Sequence, residues 1–368
     1  MGNKVVLIGT EHYNLLGLVR SFGTNGIRPY GVLINVDRRK KFVSKSKFWE
    51  KTWVVESVEE GIELAIRKFG NEKVVLIPTI DKAALYIDQH LNELNKFFIL
   101  GSIKNKQGAV AKLMEKDEQV SFIREIGFDS LDSVVVDLEN PSEVPKFPII
   151  MKPVASAEGQ KIDIRIVSDK EEMKKVITSL RNLGYTRTLA QHFLTNKKEY
   201  VITGAICDKL VSYALIENER IWPLEKGTGC YSLFSQDKEL HDYSVKLLNS
   251  IARYGYSGPI DIELFRTEDG KIYVNEINWR SSGRNFVSQH TKVYSVYLWY
   301  RLVTGQGGTD MQTIYKGSGS VMTESSDIKN IFAHKVSALT WVIQFINSSC
   351  YALIYHKDLK PLLFRFMH

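Results

Sequence analysis

Residues 260–280 constrain the fold of this chain most strongly, because their pattern is typical of a β-hairpin. The dipeptide Asp269–Gly270 is favoured in a two-residue type I′ turn, where both central residues need a positive φ. Strand side chains alternate with a period of two, so counting outward from that turn gives two polar pairs on one face: Glu263 with Glu276, and Asp261 with Asn278. The other face is apolar and is the predicted core face.

The predicted pairing brings two carboxylates together. Directly opposed residues have Cβ atoms about 5 Å apart, and the repulsion between Glu263 and Glu276 is about 3 kcal/mol at an effective dielectric near 20. A divalent cation would offset it, since carboxylate and Asn carbonyl oxygens are ligands that Mg²⁺ accepts. A solvated acidic face, or a register shifted by a longer turn, is the alternative. On the metal hypothesis, Glu276→Ala should leave the metal-free fold intact or slightly more stable.

The length and composition of the chain indicate a globular protein of more than one subdomain. The chain has 368 residues, enough for two or three subdomains, and its 44% hydrophobic and 25% charged residues are those of a soluble globular protein. The net charge of +7 is modest, and no basic block interleaved with aromatic residues indicates nucleic-acid binding. Three widely spaced cysteines predict neither a disulfide framework nor a zinc site, and suit a reducing cytoplasm. No signal peptide is apparent.

The first 80 residues alternate short apolar strands with helices. Strands are predicted at 5–9, 30–34, 52–55 and 74–78, with helical spacing from Leu15 to Phe22 and a helix over 59–69. This order predicts a parallel sheet covered on both faces. Ligands bind such sheets at the carboxyl ends of strands, so Gly9–His12 is a candidate substrate loop, with a plain turn as the alternative. The chain contains neither a dinucleotide fingerprint nor a P-loop.

The middle of the chain predicts a second group of elements. A helix over 116–127 should end at a glycine in an αL cap. Strands are predicted over 147–152 and 162–166, followed by a helix that a Ser168–Glu171 capping box would start. A strand over 188–194, a hairpin over 200–216 and an amphipathic helix over 240–251 then lead to the hairpin at 260–280.

The series Glu263 … Glu276-x-Asn278-x-Arg280 resembles the magnesium-binding signature of the ATP-grasp superfamily, usually Glu … Glu-x-Asn-Pro-Arg, with Trp279 here in place of Pro. The continuation Arg280-Ser-Ser-Gly-Arg-Asn-Phe is most similar to D-aspartate ligases and related carboxylate–amine ligases. The resemblance spans about residues 4–305. It implies an α/β protein (α+β in its ATP-grasp part) with three regions: an N-terminal Rossmann-like pre-ATP-grasp domain over 1–112, a two-subdomain ATP-grasp domain over 113–310 (lid about 115–194, large subdomain about 195–310), and a C-terminal extension over 311–368.

The resemblance also implies roles for single residues. Lys116 and Lys152 match the two lysines that contact nucleotide phosphates, and an ammonium group suits that contact. Relatives close a small-residue loop over the phosphates, which here would include Ala155, Ser156 and Gly159. The hinge strand that reads adenine through its backbone corresponds to Gln191, His192, Phe193 and Leu194. His192 is interpreted as a strand residue rather than a catalytic base.

Four residues further along the chain are also candidate site residues. Glu199 falls where a carboxylate would accept hydrogen bonds from the ribose hydroxyls, although an ordinary strand-start charge is the alternative. Lys226 lies in a glycine-bearing loop that would face the second substrate. Arg280 continues the period-two face of Glu276, so it should approach the metal and the γ-phosphate, and Arg284 is the second catalytic candidate.

Residues 336–355 are twenty residues without a charge. Polar side chains recur at helical spacing and predict an amphipathic helix: Ser337, Thr340, Gln344, Asn347 and Ser348. We expect its apolar face to pack on the enzyme body. Peripheral membrane contact and a membrane span are the alternatives.

The sequence therefore predicts a cytoplasmic ATP-dependent carboxylate–amine ligase that uses ATP and Mg²⁺ or Mn²⁺ and forms an amide through an acyl phosphate. Its substrates would be small molecules, an amino acid or a cell-envelope or secondary-metabolite precursor. A homodimer is compatible with this reading, whereas nucleic acid and membrane partners are not expected. A carboxylase or carbamoyl-phosphate-forming enzyme is one alternative, and a catalytically silent nucleotide-binding module is another.

Overall fold

The structure is a computed structural model that describes residues 3–37, 41–154, 164–224, 227–307 and 311–366. The chain forms two compact units. The first comprises Met1–Val110, Val201–Asp261 and Asn278–His368, and the second comprises Ala111–Tyr200 and Ile262–Ile277.

The elements up to residue 114 are, in chain order, β1 (Val5–Gly9), α1 (Tyr13–Thr24), β2 (Tyr30–Ile34), a 3-10 helix (Val43–Lys45), β3 (Lys51–Val55), α2 (Val58–Phe69), β4 (Val74–Pro78), α3 (Asp81–Gln89), α4 (Leu91–Leu94), β5 (Phe98–Ile99), β6 (Ser102–Ile103) and α5 (Ala109–Met114). Those that follow, up to the end of the hairpin, are α6 (Lys116–Glu125), β7 (Ser133–Asp137), β8 (Ile149–Lys152), β9 (Arg165–Val167), α7 (Lys170–Asn182), β10 (Arg187–His192), β11 (Lys197–Cys207), β12 (Leu210–Trp222), β13 (Thr228–Phe234), α8 (Lys238–Tyr254), β14 (Tyr256–Thr267) and β15 (Ile272–Asn278). The last elements are a 3-10 helix (Asn285–Val287), α9 (Ser288–Thr291), α10 (Ser295–Val303), β16 (Met311–Ile314), β17 (Ser320–Met322), α11 (Glu324–Asp327), α12 (Lys329–Phe332), α13 (Ala338–Asn347), β18 (Cys350–Tyr351) and α14 (Lys360–Phe366).

The N-terminal sheet has the order β3-β2-β1-β4-β5, and its strands are parallel, which confirms the predicted α/β class. Its strands are apolar on both sides because each side is covered. In β1, Leu7 packs with Phe22 and Trp299 in one core cluster, whereas Ile8 packs with Ile62 in another. Two-sided burial therefore explains why these strands appear in the sequence as continuous apolar runs.

The four-stranded sheet β7-β10-β8-β9 is antiparallel and lies in the second unit, where α7 contributes Met173 and Ile177 to its core. Helix α7 begins one residue later than the predicted capping box. The Asp169 carboxylate accepts from the backbone N–H of Glu172 at 2.9 Å, so Asp169 is the N-cap rather than Ser168. Helix α6 precedes Gly127, whose φ of +87° is the left-handed conformation predicted for it.

The remaining sheet has the order β15-β14-β11-β12-β13-β17-β18, with β16 added beside β12 and β6 beside β14. In the first unit, a buried ion pair ties the C-terminal segment to α1. The guanidinium of Arg20 donates to the Asp358 carboxylate at 3.0 Å and to the carbonyls of Ala352 and Leu353, and both charged side chains are almost fully buried.

The predicted C-terminal helix is shorter than expected, and most of its large aliphatic side chains are exposed. Helix α13 ends at Asn347, and β18 follows three residues later. No residue of α13 is buried, and Leu339 and Ile346 are 73% and 71% exposed, so the expectation that its apolar face packs on the body is wrong. Among the predicted polar residues, Gln344 faces inward and accepts from Arg220 at 2.7 Å, whereas Ser337, Thr340 and Asn347 are exposed. No helix in the described ranges combines the length and apolar character that a membrane crossing needs.

Candidate nucleotide and metal site

The hairpin turn is a three-residue loop, not the predicted two-residue turn. The backbone N–H of Thr267 donates to Lys271 O at 3.0 Å, and the N–H of Gly270 donates to Thr267 O at 2.9 Å. Gly270 has a φ of +87°, which glycine adopts without strain. Asp–Gly fits this loop as well as a type I′ turn, so the dipeptide located the turn without fixing its length.

The longer loop shifts the register by one residue. Counting outward from the pair Thr267 and Lys271 places Glu263 opposite Asn275, and the Asn275 side-chain amide donates to the Glu263 carboxylate at 3.1 Å. The prediction that Glu263 lies directly opposite Glu276 is therefore wrong, and so is the repulsion argument built on it.

In the second unit, Glu276 pairs with Lys116 instead. The Lys116 ammonium donates to the Glu276 carboxylate, and the two side chains are 8% and 20% exposed. Lys116 is the first residue of α6, and Gln119 lies one turn further along that helix. The Gln119 amide donates to Ile277 O at 2.8 Å and accepts from Ile277 N at 2.9 Å, and so fixes α6 to the strand that carries Glu276. Sequence analysis missed Gln119, whose only signal was a polar residue on the buried face of an amphipathic helix.

Lys152, at the end of β8, belongs to the same cluster. Its ammonium donates to the side-chain oxygen of Gln191, on the neighbouring strand β10, at 2.9 Å. The pKa of Lys152 is lowered to about 8, mainly by burial and next by the Lys116 ammonium, while the Glu276 and Glu263 carboxylates act in the opposite direction. The second unit therefore brings together both predicted phosphate-binding lysines and two of the three predicted metal ligands.

Glu199 lies in β11 beside a residue that sequence analysis did not single out. The Lys197 ammonium is 3.4 Å from the Glu199 carboxylate and lies over the rings of Phe193 and Phe265, at 4.9 and 3.9 Å from their centroids. Burial lowers the pKa of Lys197, while Glu199 and Glu263 raise it. The predicted ribose ligand thus forms an ion pair with Lys197 in the protein alone.

The predicted hinge residues 191–194 comprise the last two residues of β10 and the two residues that follow it. The N–H of His192 donates to Asp132 O at 2.8 Å, and the N–H of Phe193 donates to Pro148 O at 2.9 Å. The His192 ring nitrogen Nδ1 lies 2.9 Å from Lys146 O, in keeping with a structural role. Because these two N–H groups bond to the protein, adenine recognition by residues 191–194 would rest on other main-chain groups, including those of Leu194.

In the first unit, Arg280 is held by polar neighbours. Its guanidinium donates to the Asp81 carboxylate at 3.0 Å and to the Asn278 side-chain oxygen at 3.2 Å. Asn278 in turn lies 3.5 Å from the Asp261 carboxylate, whose pKa is raised by burial and lowered by Arg280. Asn278 follows Glu276 by two residues in β15.

Arg284 is buried, and its guanidinium donates to the Asn218 side chain at 3.1 Å and to Gly229 O. The loop that carries both arginines is anchored by Asn14, which sequence analysis also missed. The Asn14 amide donates to Ser281 O at 2.7 Å and to Thr79 O, so the first turn of α1 holds this loop at the end of β4.

The candidate substrate loop Gly9–His12 has a structural use. The Glu11 carboxylate accepts from the backbone N–H groups of Phe42 and Val43 at 2.8 and 2.6 Å, and thereby starts the 3-10 helix there. His12 is the N-cap of α1. The plain-turn alternative therefore accounts for what these two side chains do.

Four predicted site residues lie outside the described residues: Ala155, Ser156, Gly159 and Lys226. Within the described ranges, no group of three or more His, Cys, Asp or Glu side chains is arranged to hold a metal ion. The predicted metal set has two carboxylates, and its third ligand is an amide oxygen.

Solved structures share this fold. The biotin carboxylase domain of a 2-oxoglutarate carboxylase from Hydrogenobacter thermophilus, in complex with MgADP, ADP and bicarbonate, superposes with a TM-score of 0.66 at 15% identity, covering 87% of this chain and 74% of that one. An L-amino acid ligase from Bacillus licheniformis superposes with a TM-score of 0.62 at 16% identity, covering 82% of this chain and 75% of that one. The chain has the fold of the ATP-grasp superfamily, as its hairpin signature predicted.

In sequence, the chain is 25% identical over 171 residues to a D-alanine–D-alanine ligase of Campylobacter lari. The match covers 43% of this chain and 47% of the ligase, so it spans about half the length of that relative. No protein-family model matches the chain.

Proposed function

We propose that the chain is an ATP-dependent carboxylate–amine ligase that releases ADP and phosphate. The observation that carries the proposal is the cluster in the second unit, where the ammonium groups of Lys116 and Lys152 interact with the carboxylates of Glu263 and Glu276. The ATP-grasp fold and the partial similarity to a D-alanine–D-alanine ligase support it.

The electrostatics of the cluster suit a polyphosphate. Two ammonium groups lie near one another, and burial with mutual repulsion brings the pKa of Lys152 down to about 8. An anion bound beside both would favour their charged forms. Nucleotide phosphates are therefore a chemically matched ligand for Lys116 and Lys152.

The remaining donors suit a hard divalent cation. Glu263 and Glu276 offer carboxylate oxygens and Asn278 offers an amide oxygen, the ligand types that Mg²⁺ and Mn²⁺ prefer. In the protein alone, Lys116 offsets the charge of Glu276, and Arg280 donates to the Asn278 oxygen. Bound Mg²⁺ would neutralise phosphate charge during transfer.

The proposed reaction has two steps. The γ-phosphoryl group of ATP passes to a substrate carboxylate, and an amine then displaces phosphate from the acyl phosphate to form an amide. Lys116 and Lys152 would hold the phosphates, Glu199 the ribose and residues 191–194 the adenine. Arg280 and Arg284 would stabilise the charge that develops at the acyl carbon and the transferred phosphoryl group.

Trapping with hydroxylamine tests this proposal. With ATP, Mg²⁺ and a panel of amino acids and other small carboxylates, a true substrate should give hydroxamate and ADP in equal amounts. Lys152→Met should abolish both products. Lys174→Met is the matched control, because Lys174 is an exposed lysine paired with Glu171, and it should leave both products unchanged.

The other outcomes point to other enzymes. AMP and pyrophosphate would identify an adenylating enzyme and overturn the proposal. Stimulation by bicarbonate alone would identify a carboxylase or carbamoyl-phosphate-forming enzyme. Tight ADP binding without ADP release for any carboxylate in the panel would identify a silent nucleotide-binding module.

A further inference from the structure

Helix α13 exposes a continuous apolar face in the first unit. Its outward residues have the spacing i, i+3, i+4 and i+7 of one helical stripe, and each is at least 45% exposed: Leu339, Val342, Ile343 and Ile346. Phe332, just before this helix, is 79% exposed. Contiguous apolar surface of this kind marks interaction sites on soluble proteins.

The inward side of the helix fixes its orientation. Arg220 donates to Gln344 at 2.7 Å and is itself held by Asp327 through two hydrogen bonds, at 2.9 and 2.6 Å. Phe345 stacks on Trp341 and contacts the ring of Tyr351. Rotating the helix to bury its apolar face would break the contacts with Arg220 and Tyr351, so the exposed stripe belongs to the folded state.

The sequence segment that contains α13 carries basic residues and no acidic ones. No acidic residue occurs in residues 328–357, whereas Lys329, Lys335 and Lys357 are exposed. The acidic residues that flank this segment are buried, and their carboxylates already bond to other groups of the protein. Asp327 pairs with Arg220, Asp358 pairs with Arg20, and the Glu324 carboxylate accepts backbone N–H groups of residues 352–354.

We propose that the apolar face of α13, with the exposed lysines of residues 329–357, docks the protein on an anionic lipid surface. A ten-residue helix is about 15 Å long, which suits a helix lying in the plane of a membrane interface. A second copy of the chain fits less well, because it would bring the same lysines and the same net charge of +7 to the contact. This docking does not depend on the ligase proposal.

Vesicle co-sedimentation tests the docking. The full-length protein should bind phosphatidylcholine vesicles that contain phosphatidylglycerol, and should bind less as salt is raised. The triple variant Leu339→Ser/Ile343→Ser/Ile346→Ser should bind at least about tenfold more weakly. Leu183→Ser is the matched control, since Leu183 is a 57% exposed apolar residue of the second unit, and it should bind like the parent protein.

Two measurements keep the result interpretable. Thermal unfolding should show that the triple variant is as stable as the parent, because its substituted side chains are exposed. The double variant Lys329→Gln/Lys335→Gln should bind anionic vesicles more weakly, but its binding to uncharged phosphatidylcholine vesicles should be unchanged. Failure of the parent protein to bind, or unchanged binding by the triple variant, would overturn the proposal. A dimer in sedimentation velocity that the triple variant dissociates would identify a second copy as the occupant and overturn it too.

Discussion

The side-chain amide of Gln119 bonds to both polar groups of the Ile277 backbone, donating to the carbonyl at 2.8 Å and accepting from the N–H at 2.9 Å. One residue thereby joins helix α6, which begins with Lys116, to the strand that carries Glu276. We expect the ion pair between Lys116 and Glu276 to depend on these two hydrogen bonds of Gln119.

Replacing Gln119 should therefore affect both stability and nucleotide binding. Gln119→Ala leaves the buried N–H and C=O of Ile277 without these hydrogen bonds, which should cost about 2–3 kcal/mol of unfolding free energy. Urea unfolding measures this loss, and the KM for ATP should rise as well. Ser121→Ala, on the exposed side of the same helix, should change neither quantity. Equal stability of the two variants would contradict the prediction.

The pair Lys116–Glu276 reverses the stability effect expected from the sequence. Removing Glu276 does not relieve a repulsion with Glu263, because it leaves the buried Lys116 ammonium without its carboxylate. Glu276→Gln should destabilise the metal-free protein by about 2 kcal/mol. Lys116→Met in the same chain should restore most of that loss. Glu118→Gln is the control, since it breaks the exposed pair with Lys112 and should cost almost nothing. A Glu276→Gln protein as stable as the parent would refute the assignment.

Lys152 predicts a pH dependence of stability. Its folded-state pKa of about 8 lies below the ordinary 10.5, so between these values the unfolded chain holds a proton that the folded chain has lost. Stability linked to this residue therefore rises with pH across that window. The unfolding free energy of the parent minus that of Lys152→Met should be larger near about pH 10 than near about pH 7. A difference that stays constant or falls would show that the pKa of Lys152 is not lowered in the folded protein.

The buried pair Arg20–Asp358 predicts that removing the C-terminal segment destabilises the first unit. Asp358→Asn keeps the shape of the side chain but removes the charge that compensates a fully buried guanidinium, and should cost about 3–5 kcal/mol. Chemical denaturation measures this cost. Lys357→Gln, at the exposed neighbouring position, should have little effect. Truncation after Lys335 would also remove Asp358, so it is unsuitable as a test of membrane contact.

The first unit's parallel sheet was predictable because its strands are buried on both faces. Val5–Gly9 and Val74–Pro78 are short apolar runs, and both form strands with those bounds. The hairpin turn was located correctly, but the three-residue loop at Gly270 is compatible with the same dipeptide. A change of one residue in loop length shifts the pairing of the two strands by one residue. The dipeptide does not specify the loop length, so it does not specify this register either.

The orientation of α13 could not be predicted for a different reason. A helical pattern divides residues into a polar and an apolar side, but the side that faces inward depends on distant partners. Here Arg220 supplies the inward partner for Gln344, 124 positions away in the sequence. Gln119 was missed on the same grounds, because its partner is the backbone of Ile277, and a backbone group leaves no signature in the amino-acid pattern.

The contact between Arg20 and Asp358 also limits how this chain can evolve by recombination. The two residues are 338 positions apart, yet neither charge is tolerable in the interior without the other. Replacing only the segment that contains Arg20 with a homologous one could leave Asp358 without its guanidinium. Replacing only the segment that contains Asp358 could leave Arg20 without its carboxylate. The segments around Arg20 and Asp358 can therefore be inherited successfully only together, although most of the chain lies between them.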